Sequence, residues 1–326
     1  MTSAEVIEGG IQTTVQDYPG RRGMLAQGFF PAGQMDHFAH RAANLLVGND
    51  EGAATLEITL GSFRLRFDGE ATVAICGAEA AVSVDGQEVA LWESHRVRAG
   101  GEIAVGIAAG PGFRLYLAVD AGFDVPPLFG SRATYTMGAL GGHEGRPLQA
   151  GDRVPVGEPR GNGGGRRLRA QARPAYSREW EVRVLRGPQA APDFLTENDM
   201  ETLFGRPWPV DRNSNRTGVR LESHRFEWAR RSGGIAGGHP SNILDNSYPV
   251  GAININGDLP VILGPDGPTA GGFIVAATVI HADFWMIGQF RPVGDTVRFR
   301  EVTIDHAIDA DRALQESLTN AGLQAG

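Results

Sequence analysis

The sequence predicts a mainly β fold of the β-rich α+β class, built from barrels or sandwiches and not from a helical bundle. Three observations predict it. The 46 glycines and 19 prolines cut the 326-residue chain into short segments. Several of these segments alternate apolar and polar residues, as half-buried strands do. The strand candidates also recur at the spacing of roughly 8–12 residues that is typical of barrels and sandwiches.

The clearest strand candidate is 63–67, Phe-Arg-Leu-Arg-Phe, in which every second residue is apolar. Asp85-Gly86 favours the tight turn of a two-residue hairpin. The single cysteine, Cys76, ends an apolar run and is expected to be a buried structural thiol. Further strands are predicted over 81–84, 87–89, 103–107 and 113–119.

Few helices are expected. The first is predicted over 36–46, where Asp36 is a candidate N-cap and a Gly-Asn pair follows the last apolar residue. Asp283 is expected to cap another short helix. Three apolar residues of the last helix are expected to face inward: Ile308, Leu314 and Leu318. The remaining predicted helices cover 192–204, 282–290 and 304–321.

Residues 159–174 are the best candidate for a domain boundary, because they combine a glycine run with arginines and show no apolar periodicity. The sequence therefore predicts an N-terminal domain over 1–158, a Gly/Arg-rich linker over 159–174, and a C-terminal domain over 175–326 that carries the last helix. Both halves look β-rich, which indicates two similar barrels. The main basic cluster is expected to be solvated linker: Arg166, Arg167 and Arg169.

Composition excludes several function classes. The net charge of −8 and the pI near 5.5 are unlike a nucleic-acid binder, which shows a basic face. No apolar run approaches the roughly 18 residues of a membrane span, and the first residues do not resemble a signal peptide, so a cytoplasmic location is expected. All 30 basic residues are arginine. The absence of lysine excludes Schiff-base chemistry and the lysine-bearing phosphate loop. No zinc-ligand spacing or nucleophile elbow is present, and no metal is expected.

Five polar, glycine-rich segments stand out along the chain. They are Thr-Thr-Val-Gln-Asp-Tyr-Pro-Gly-Arg at 13–21, Asn-Leu-Leu-Val-Gly-Asn at 44–49, Gly-Ser-Arg at 130–132, Ser-Asn-Arg-Thr-Gly-Val-Arg-Leu at 214–221, and Asp-Gly-Pro-Thr-Ala-Gly-Gly at 266–272. In this order they resemble the biotin-dependent carboxyltransferase-like family, also called the allophanate hydrolase subunit two family. The resemblance covers about residues 9–301, and the family includes KipA, the C-type subunit of 5-oxoprolinase and one half of the carboxyltransferase domain of urea carboxylase.

The resemblance implies two cyclophilin-like β-barrel domains and a KipI-like partner subunit that supplies part of the active site. It implies a subunit that does not act alone. The favoured activity is ATP-dependent opening of 5-oxoproline to glutamate, with a third subunit in the complex and ATP bound with the partner subunits. One alternative is the carboxyltransferase half of a biotin-dependent carboxylase of urea or a related amide, with biotin on another chain. The other is a KipA-type regulatory binding partner without chemistry.

The candidate site residues come from these segments and, for Asn254, from the Gly-Ala-Ile-Asn run at 251–254. Arg216, Asn254 and Asp266 are expected to be catalytic: the arginine to balance anionic charge, and the other two to orient the amide. Backbone N–H groups of a 266–272 loop could hold an oxyanion. The family usually has glutamine at Asn254 and tyrosine at Phe273. The expected substrate-binding residues are Gln16, Asp17, Arg21, Ser214, Asn215, Arg220, Thr269, Gly271 and Gly272.

Each candidate also has a structural interpretation. Arg216 could form a surface ion pair with Glu222 or Glu227, and Asp17 could be no more than a salt-bridge partner of Arg21. Asp266 could cap local amides of a β-turn. His143 and Glu144 could act as a general base pair, although their setting between glycines favours a loop tip.

Overall fold

The computed structural model describes residues 2–158, 164–319 and 323–325. Within these ranges the chain forms 21 strands and four α-helices, which confirms the predicted mainly β, β-rich α+β class. None of the helices in the described ranges combines the length and the apolar character that crossing a bilayer requires.

The chain divides into two compact units. Unit 1 comprises residues 1–176 together with 314–326, and unit 2 comprises residues 177–313. The chain thus passes into unit 2 two residues beyond the predicted linker, and its last 13 residues return to unit 1. Residues 159–163 of the predicted linker lie outside the described residues. Its remainder contains a strand, Arg166–Leu168, which pairs with Leu323–Ala325 near the C-terminus.

Unit 1 contains two main sheets. Its strands, in chain order, are β1 (Thr2–Gly9), β2 (Gln12–Gln16), β3 (Thr55–Thr59), β4 (Phe63–Phe67), β5 (Ala71–Gly77), β6 (Val82–Val84), β7 (Gln87–Val89), β8 (Ser94–Val97), β9 (Glu102–Val105), β10 (Arg114–Val119), β11 (Arg153–Val156) and β12 (Arg166–Leu168). One sheet has the order β11-β1-β4-β9-β6-β7, and the other has the order β2-β3-β10-β5-β8. The predicted hairpin turn at Asp85-Gly86 joins β6 to β7, with positive φ angles of 52° and 80° that suit a mirror-image turn.

The apolar core of unit 1 takes side chains from both sheets. Strand β4 shows the pattern most clearly, since Phe63, Leu65 and Phe67 are fully buried while the arginines between them are exposed. On the five-stranded sheet, Leu56 of β3 and Leu117 of β10 belong to the same cluster. Each fully buried side chain of this size contributes about 1.5–3 kcal/mol. The alternation predicted for 63–67 is therefore confirmed.

Helix α1 (His37–Leu46) covers the other face of the five-stranded sheet, packing on β5 and β10. Asp36 is its N-cap, as predicted, because its Oδ1 accepts the backbone N–H of Ala39 at 2.8 Å. Nearly every residue of the helix is buried, polar ones included. The sheet face beneath α1 is polar, with Thr14, Glu57, Tyr116 and Cys76 side by side in register across four strands.

Unit 2 is built on one eight-stranded sheet. Its strands are β13 (Glu179–Arg186), β14 (Trp208–Pro209), β15 (Gly218–Arg220), β16 (Asn242–Ser247), β17 (Ala252–Asn256), β18 (Leu259–Leu263), β19 (Ala270–Val279) and β20 (Thr296–Glu301). The order is β14-β20-β13-β19-β17-β18-β15, and β16 adds a branch by pairing with β19. Strand β17 thus has a neighbour on both sides. The last strand of the chain, β21 (Leu323–Ala325), belongs to unit 1.

The remaining helices are shorter than predicted. Helix α2 (Glu197–Gly205) begins at a capping box in which Thr196 and Asp199 exchange hydrogen bonds, five residues after the predicted start. Helix α3 (Phe284–Ile287) is a single turn that follows a 3-10 turn, and α4 (Ile304–Ser317) ends before the predicted stop. Residues 320–321 of that prediction lie outside the described residues.

Two predictions about these helices are wrong. Asp283 makes no cap, because its carboxylate accepts the backbone N–H and the guanidinium of Arg183 instead. Ile308 of α4 is 45% exposed and does not face a core, whereas Leu318, just beyond the helix, is 5% exposed. Apolar spacing alone indicates which face of a helix could be buried, but not whether the rest of the fold covers it.

Candidate functional site

The most distinctive polar group of unit 2 is the carboxamide of Asn254. This residue lies on β17 and pairs in register with Val261 of β18 and Val275 of β19. Asn254 is 3% exposed, and its Oδ1 is a buried oxygen with no hydrogen-bond partner. Leaving such an acceptor unsatisfied costs roughly 1–3 kcal/mol, so native proteins seldom do it without a reason. This oxygen is able to accept an N–H from a ligand.

Tyr248, which no sequence motif marks, is close to this carboxamide. Its hydroxyl accepts the backbone N–H of Phe273 at 2.5 Å and donates to the carbonyl of Phe273 at 2.9 Å. Burial raises the pKa of Tyr248, which keeps the phenol protonated at neutral pH. Both side chains border one small apolar cluster: Ala252, Val261, Leu263, Phe273 and Val275.

Two of the predicted residues, Thr269 and Gly271, contact Tyr248, and Gly272 follows Gly271 on the same strand. The backbone N–H of Tyr248 donates to the carbonyl of Thr269 at 2.8 Å. A Cβ on Gly271 would lie 2.7 Å from the Tyr248 ring, and a Cβ on Gly272 would lie 3.0 Å from the carbonyl oxygen of Ile243. Both glycines belong to strand β19 and not to an open loop, since β16 pairs along them. The lack of a side chain at Gly271 lets the tyrosine ring approach the strand.

Arg216 and Asp266, both predicted to be catalytic, bind each other. Nε of Arg216 donates to Oδ2 of Asp266 at 2.8 Å, and Nη2 donates to Oδ1 at 2.9 Å. The residues are 4% and 3% exposed, and the backbone N–H of Asp266 donates to the carbonyl of Arg216. This bidentate pair joins two loops 50 residues apart and neutralises both charges. The partner of Arg216 is therefore Asp266, in place of the surface partner Glu222 or Glu227.

The three other predicted residues of this segment shape the turn before β15. Ser214 Oγ accepts the backbone N–H of Arg220 at 3.0 Å, and Asn215 Oδ1 accepts that of Thr217 at 2.8 Å. The Arg220 side chain is exposed. Ser214 and Asn215 thus hold local backbone, as short polar side chains commonly do in turns.

In unit 1, Gln16 resembles Asn254 in its environment. Its Nε2 donates to Thr14 Oγ1 at 2.9 Å and to the carbonyl of Thr134 at 3.1 Å. These two acceptors fix the orientation of the carboxamide. Its Oε1 is buried without a hydrogen-bond partner, and the residue is fully buried.

Asp17 and Arg21 fasten loops. Asp17 accepts the Ser131 hydroxyl at 2.7 Å and the backbone N–H of Arg132 at 2.6 Å. Burial raises the pKa of Asp17 despite these donors. Arg21 is 1% exposed, and its guanidinium donates to three backbone carbonyls, those of Phe30, Leu128 and Ala133. The segments at 13–21 and 130–132 are thus parts of one hydrogen-bonded structure.

The buried polar layer under α1 was not predicted. The Tyr116 hydroxyl donates to Glu57 Oε2 at 2.7 Å, and the backbone N–H of Met35 donates to the same oxygen at 2.8 Å. Burial raises the pKa of Tyr116 and of the Cys76 thiol. The buried thiol with a raised pKa agrees with the structural role expected for Cys76. Alternation of polar residues along β2 and β3 was the available signal, but such a pattern commonly marks a solvent-facing strand.

His40 of α1 completes this layer. Its Nδ1 lies 2.9 Å from Thr55 Oγ1, and its Nε2 lies 3.3 Å from the Asn44 side-chain nitrogen. Both ring nitrogens thus lie within hydrogen-bond distance of a polar side chain. Burial lowers the pKa of His40 to about 3, so the imidazole is neutral at physiological pH. Asn44 and Asn49, from the 44–49 segment, also donate to backbone carbonyls beyond the helix.

Comparison with known proteins identifies the family to which this fold belongs. The family model "Carboxyltransferase domain, subdomain A and B" matches residues 27–301. The chain belongs to this carboxyltransferase family. Among its relatives is the urea amidolyase of Lachancea kluyveri, 40% identical over 96% of this chain and 17% of that protein. Another is the C-type subunit of 5-oxoprolinase from Escherichia coli, 32% identical over 94% of this chain and 93% of that protein.

Solved structures agree with the family assignment. The Kluyveromyces lactis urea amidolyase superposes with a TM-score of 0.94 at 37% identity, over 99% of this chain and 20% of that chain. The K. lactis urea carboxylase gives a TM-score of 0.93 over 98% of this chain. This chain therefore spans about one sixth to one quarter of the length of its urea-enzyme relatives.

Within this carboxyltransferase fold, the predicted residues form separate groups. Asn254, Thr269, Gly271 and Gly272 lie on or beside strands β17 and β19 of unit 2, whereas Arg216 and Asp266 bind each other through two hydrogen bonds. His143 and Glu144 do not act together, because His143 lies 3.6 Å from Asp152 while Glu144 pairs with Arg146. Among the described residues, no group of three or more His, Cys, Asp or Glu side chains is arranged to hold a metal.

Proposed function

We propose that this chain is the carboxyltransferase A/B half of a biotin-dependent carboxylase that acts on urea or a related small amide. The proposal rests on Oδ1 of Asn254, which is buried and has no hydrogen-bond partner. Urea is a small neutral molecule that presents N–H donors around its edge, and a buried carboxamide oxygen without a donor is suited to accept one of them. Its neighbours Val261 and Val275 are apolar, which strengthens a hydrogen bond made there.

Similarity supports urea over the other family substrates. The chain is 40% identical to a urea amidolyase but 32% identical to the E. coli 5-oxoprolinase component. The identities cover nearly the whole of this chain in both comparisons, 96% and 94%. The proposal thus reverses the order of preference that the sequence alone had given.

The other components of the reaction come from elsewhere. Biotin, which would supply the carboxyl group, is attached to proteins through lysine, and this chain has none. The biotin carrier is therefore on another chain or another part of a longer one. A KipI-like subunit would complete the active site. ATP would be bound with the partner subunits, in keeping with the absence of a lysine-bearing phosphate loop here.

The second candidate function is that of the C-type subunit of 5-oxoprolinase. One observation favours it: the chain covers 93% of the E. coli protein of that name. The lactam N–H of 5-oxoproline would donate to the same Asn254 oxygen, so the orphaned acceptor suits both substrates. A KipA-type regulatory partner, which would need no substrate, leaves that acceptor without a role.

Reconstitution separates these functions. The chain would be assembled with a KipI-like subunit, a biotin carboxylase and a biotin carrier, then given ATP, labelled bicarbonate and urea. Label fixed into urea only when this chain is present would support the proposal. Glutamate formed from 5-oxoproline and ATP would favour the second candidate instead. If Asn254→Ala and Asp266→Ala change no activity in either assay while the subunits still bind, a regulatory role follows.

A further inference from the structure

Strand β19 has a bulge beside Asn254. Ile253 of β17 pairs with Ala277 of β19, but the next residue, Asn254, pairs with Val275. Ala276 is therefore an extra residue with no opposite residue on β17. Such a bulge shifts the register by one residue, which moves the following side chains to the other face of the sheet. Bulges commonly lie next to functional sites, where they re-aim a side chain.

The bulge determines which side chains of β19 lie beside Asn254. Residues paired across neighbouring strands share one face of the sheet. Val275 therefore shares the face of Asn254, and Phe273, two residues earlier, shares it as well. In a strand without the bulge, Ala276 and Ile274 would take these places. The apolar cluster next to Asn254 does include Val275 and Phe273.

Gln189 holds the backbone of this bulge. The N–H of Val275 donates to Oε1 of Gln189 at 3.0 Å, and the N–H of Gln189 donates to the carbonyl of Val275 at 3.2 Å. The carbonyl of Ala276 accepts the N–H of Gly187 at 2.8 Å. The segment after β13 thus continues the pairing with β19, but a side-chain oxygen replaces one backbone carbonyl of the ladder. The bulge keeps its hydrogen bonds because Gln189 supplies that oxygen.

The same oxygen has a second donor. Nδ2 of Asn246, on β16, donates to Oε1 of Gln189 at 3.2 Å. A carboxamide oxygen has two lone pairs, so these two donors satisfy it. The Gln189 side chain is thus tied both to β16 and to β19, and these contacts fix its position.

We propose that Gln189 is a positioning residue for the Asn254 site: it fixes the bulge of β19, and the bulge places Val275 and Phe273 as the apolar wall beside the Asn254 carboxamide. The inference rests on the proposed function, in which Asn254 binds the amide substrate. Without the Gln189 oxygen, the N–H of Val275 loses its acceptor, and the strand relieves this cost by shifting. The wall then moves away from the position that a small amide needs.

Kinetics of the assembled carboxylase test the proposal, with urea as the probe. Gln189→Met keeps the length of the side chain but removes the acceptor, and should raise the KM for urea by about fivefold, the effect of one neutral hydrogen bond. The kcat should be unchanged, since Gln189 does not touch the reacting groups. Gln189→Glu keeps an oxygen for both donors and should restore the wild-type KM.

The matched control is Gln315→Met. This half-buried glutamine of unit 1 also accepts a single side-chain donor, Nη2 of Arg41, at 2.6 Å. The control should leave the KM for urea unchanged. A Gln189→Met variant that loses stability but keeps the wild-type KM would show a merely structural role and refute the proposal.

Hydrogen exchange of the Val275 amide gives a readout without turnover. In 15N-labelled protein, this amide should exchange slowly in the wild type and at least about fivefold faster in Gln189→Met. Gln189→Glu should restore the slow exchange. A wild-type Val275 amide that exchanges without protection would overturn the inference, even if no variant folded.

The two proposals fail in different ways. An unchanged KM in Gln189→Met, with urea turnover intact, would refute the role of Gln189 and leave the proposed function standing. If the wild-type complex does not carboxylate urea, the proposed function fails, and the exchange of the Val275 amide still decides whether Gln189 holds the bulge.

Discussion

His40 should make unit 1 sensitive to acid. Its imidazole is fully buried, it exchanges hydrogen bonds with Thr55 and Asn44, and Arg41 beside it also disfavours a positive charge. Desolvation is the largest cause of its lowered pKa of about 3. In the unfolded chain the same group titrates near 6.5. Between these values the unfolded chain binds a proton that the folded chain does not.

The sign and the size of the effect follow from this difference. The free energy of unfolding keeps its full value above pH 6.5 with respect to His40. It falls as the pH drops from 6.5 towards 3, because a proton bound only by the unfolded chain favours unfolding. At pH 5 the solution lies about 1.5 pH units below the pKa of histidine in the unfolded chain, and one unit corresponds to about 1.4 kcal/mol. His40 alone should therefore lower the free energy of unfolding by about 2 kcal/mol between pH 7.5 and pH 5.

The substitution His40→Gln removes the titration, and chemical denaturation at pH 7.5, 6.5 and 5 would measure it. The variant should be less stable than the wild type at pH 7.5, because it loses the hydrogen-bonded ring. Its further loss towards pH 5 should be smaller than that of the wild type by about 2 kcal/mol. His306→Gln, at an exposed histidine of α4, is the matched control and should keep the wild-type slope. Equal slopes for wild type and His40→Gln would refute the reasoning.

Three further substitutions test the site and its supports. Arg216→Met strands the buried Asp266 carboxylate and should cost about 3–5 kcal/mol in chemical denaturation; a loss below 1 kcal/mol would show that the pair is not desolvated. Gly271→Ala would put a Cβ 2.7 Å from the buried Tyr248 ring and should cost about 1–3 kcal/mol in chemical denaturation; wild-type stability would contradict the close packing. Arg21→Met should cost about 2–4 kcal/mol and speed limited proteolysis at 22–30 and 128–139, because three carbonyls lose their donor; wild-type cleavage rates would contradict this role.

Local signals predicted local structure well. The alternation at 63–67, the Asp85-Gly86 turn and the Asp36 cap each depend on a few neighbouring residues, and each is found in the structure. Boundaries that depend on distant partners were less predictable. The strand at 166–168 pairs with residues more than 150 positions away, so its Gly/Arg-rich composition gave no sign of a strand.

At the candidate site, too, residues marked by local motifs were predictable, whereas contacts between distant parts of the chain were not. The motif segments contain Thr269 and Gly271, which the structure places against Tyr248. Tyr248 was missed because its hydroxyl bonds the backbone of Phe273, a partner distant in the sequence, which no spacing in the sequence reveals. The partnership of Arg216 with Asp266 was missed for the same reason: each residue was interpreted with its sequence neighbours, whereas the fold brings together loops 50 residues apart.

The most direct test of the central claim is ATP-dependent fixation of labelled bicarbonate into urea by the reconstituted complex, comparing wild type with Asn254→Ala. Fixation should require this chain and should be lost in the variant, while the variant still assembles with its partners. An intact complex that fixes no label into urea would refute the proposed function, and an Asn254→Ala variant that fixes it at the wild-type rate would refute the role of Asn254.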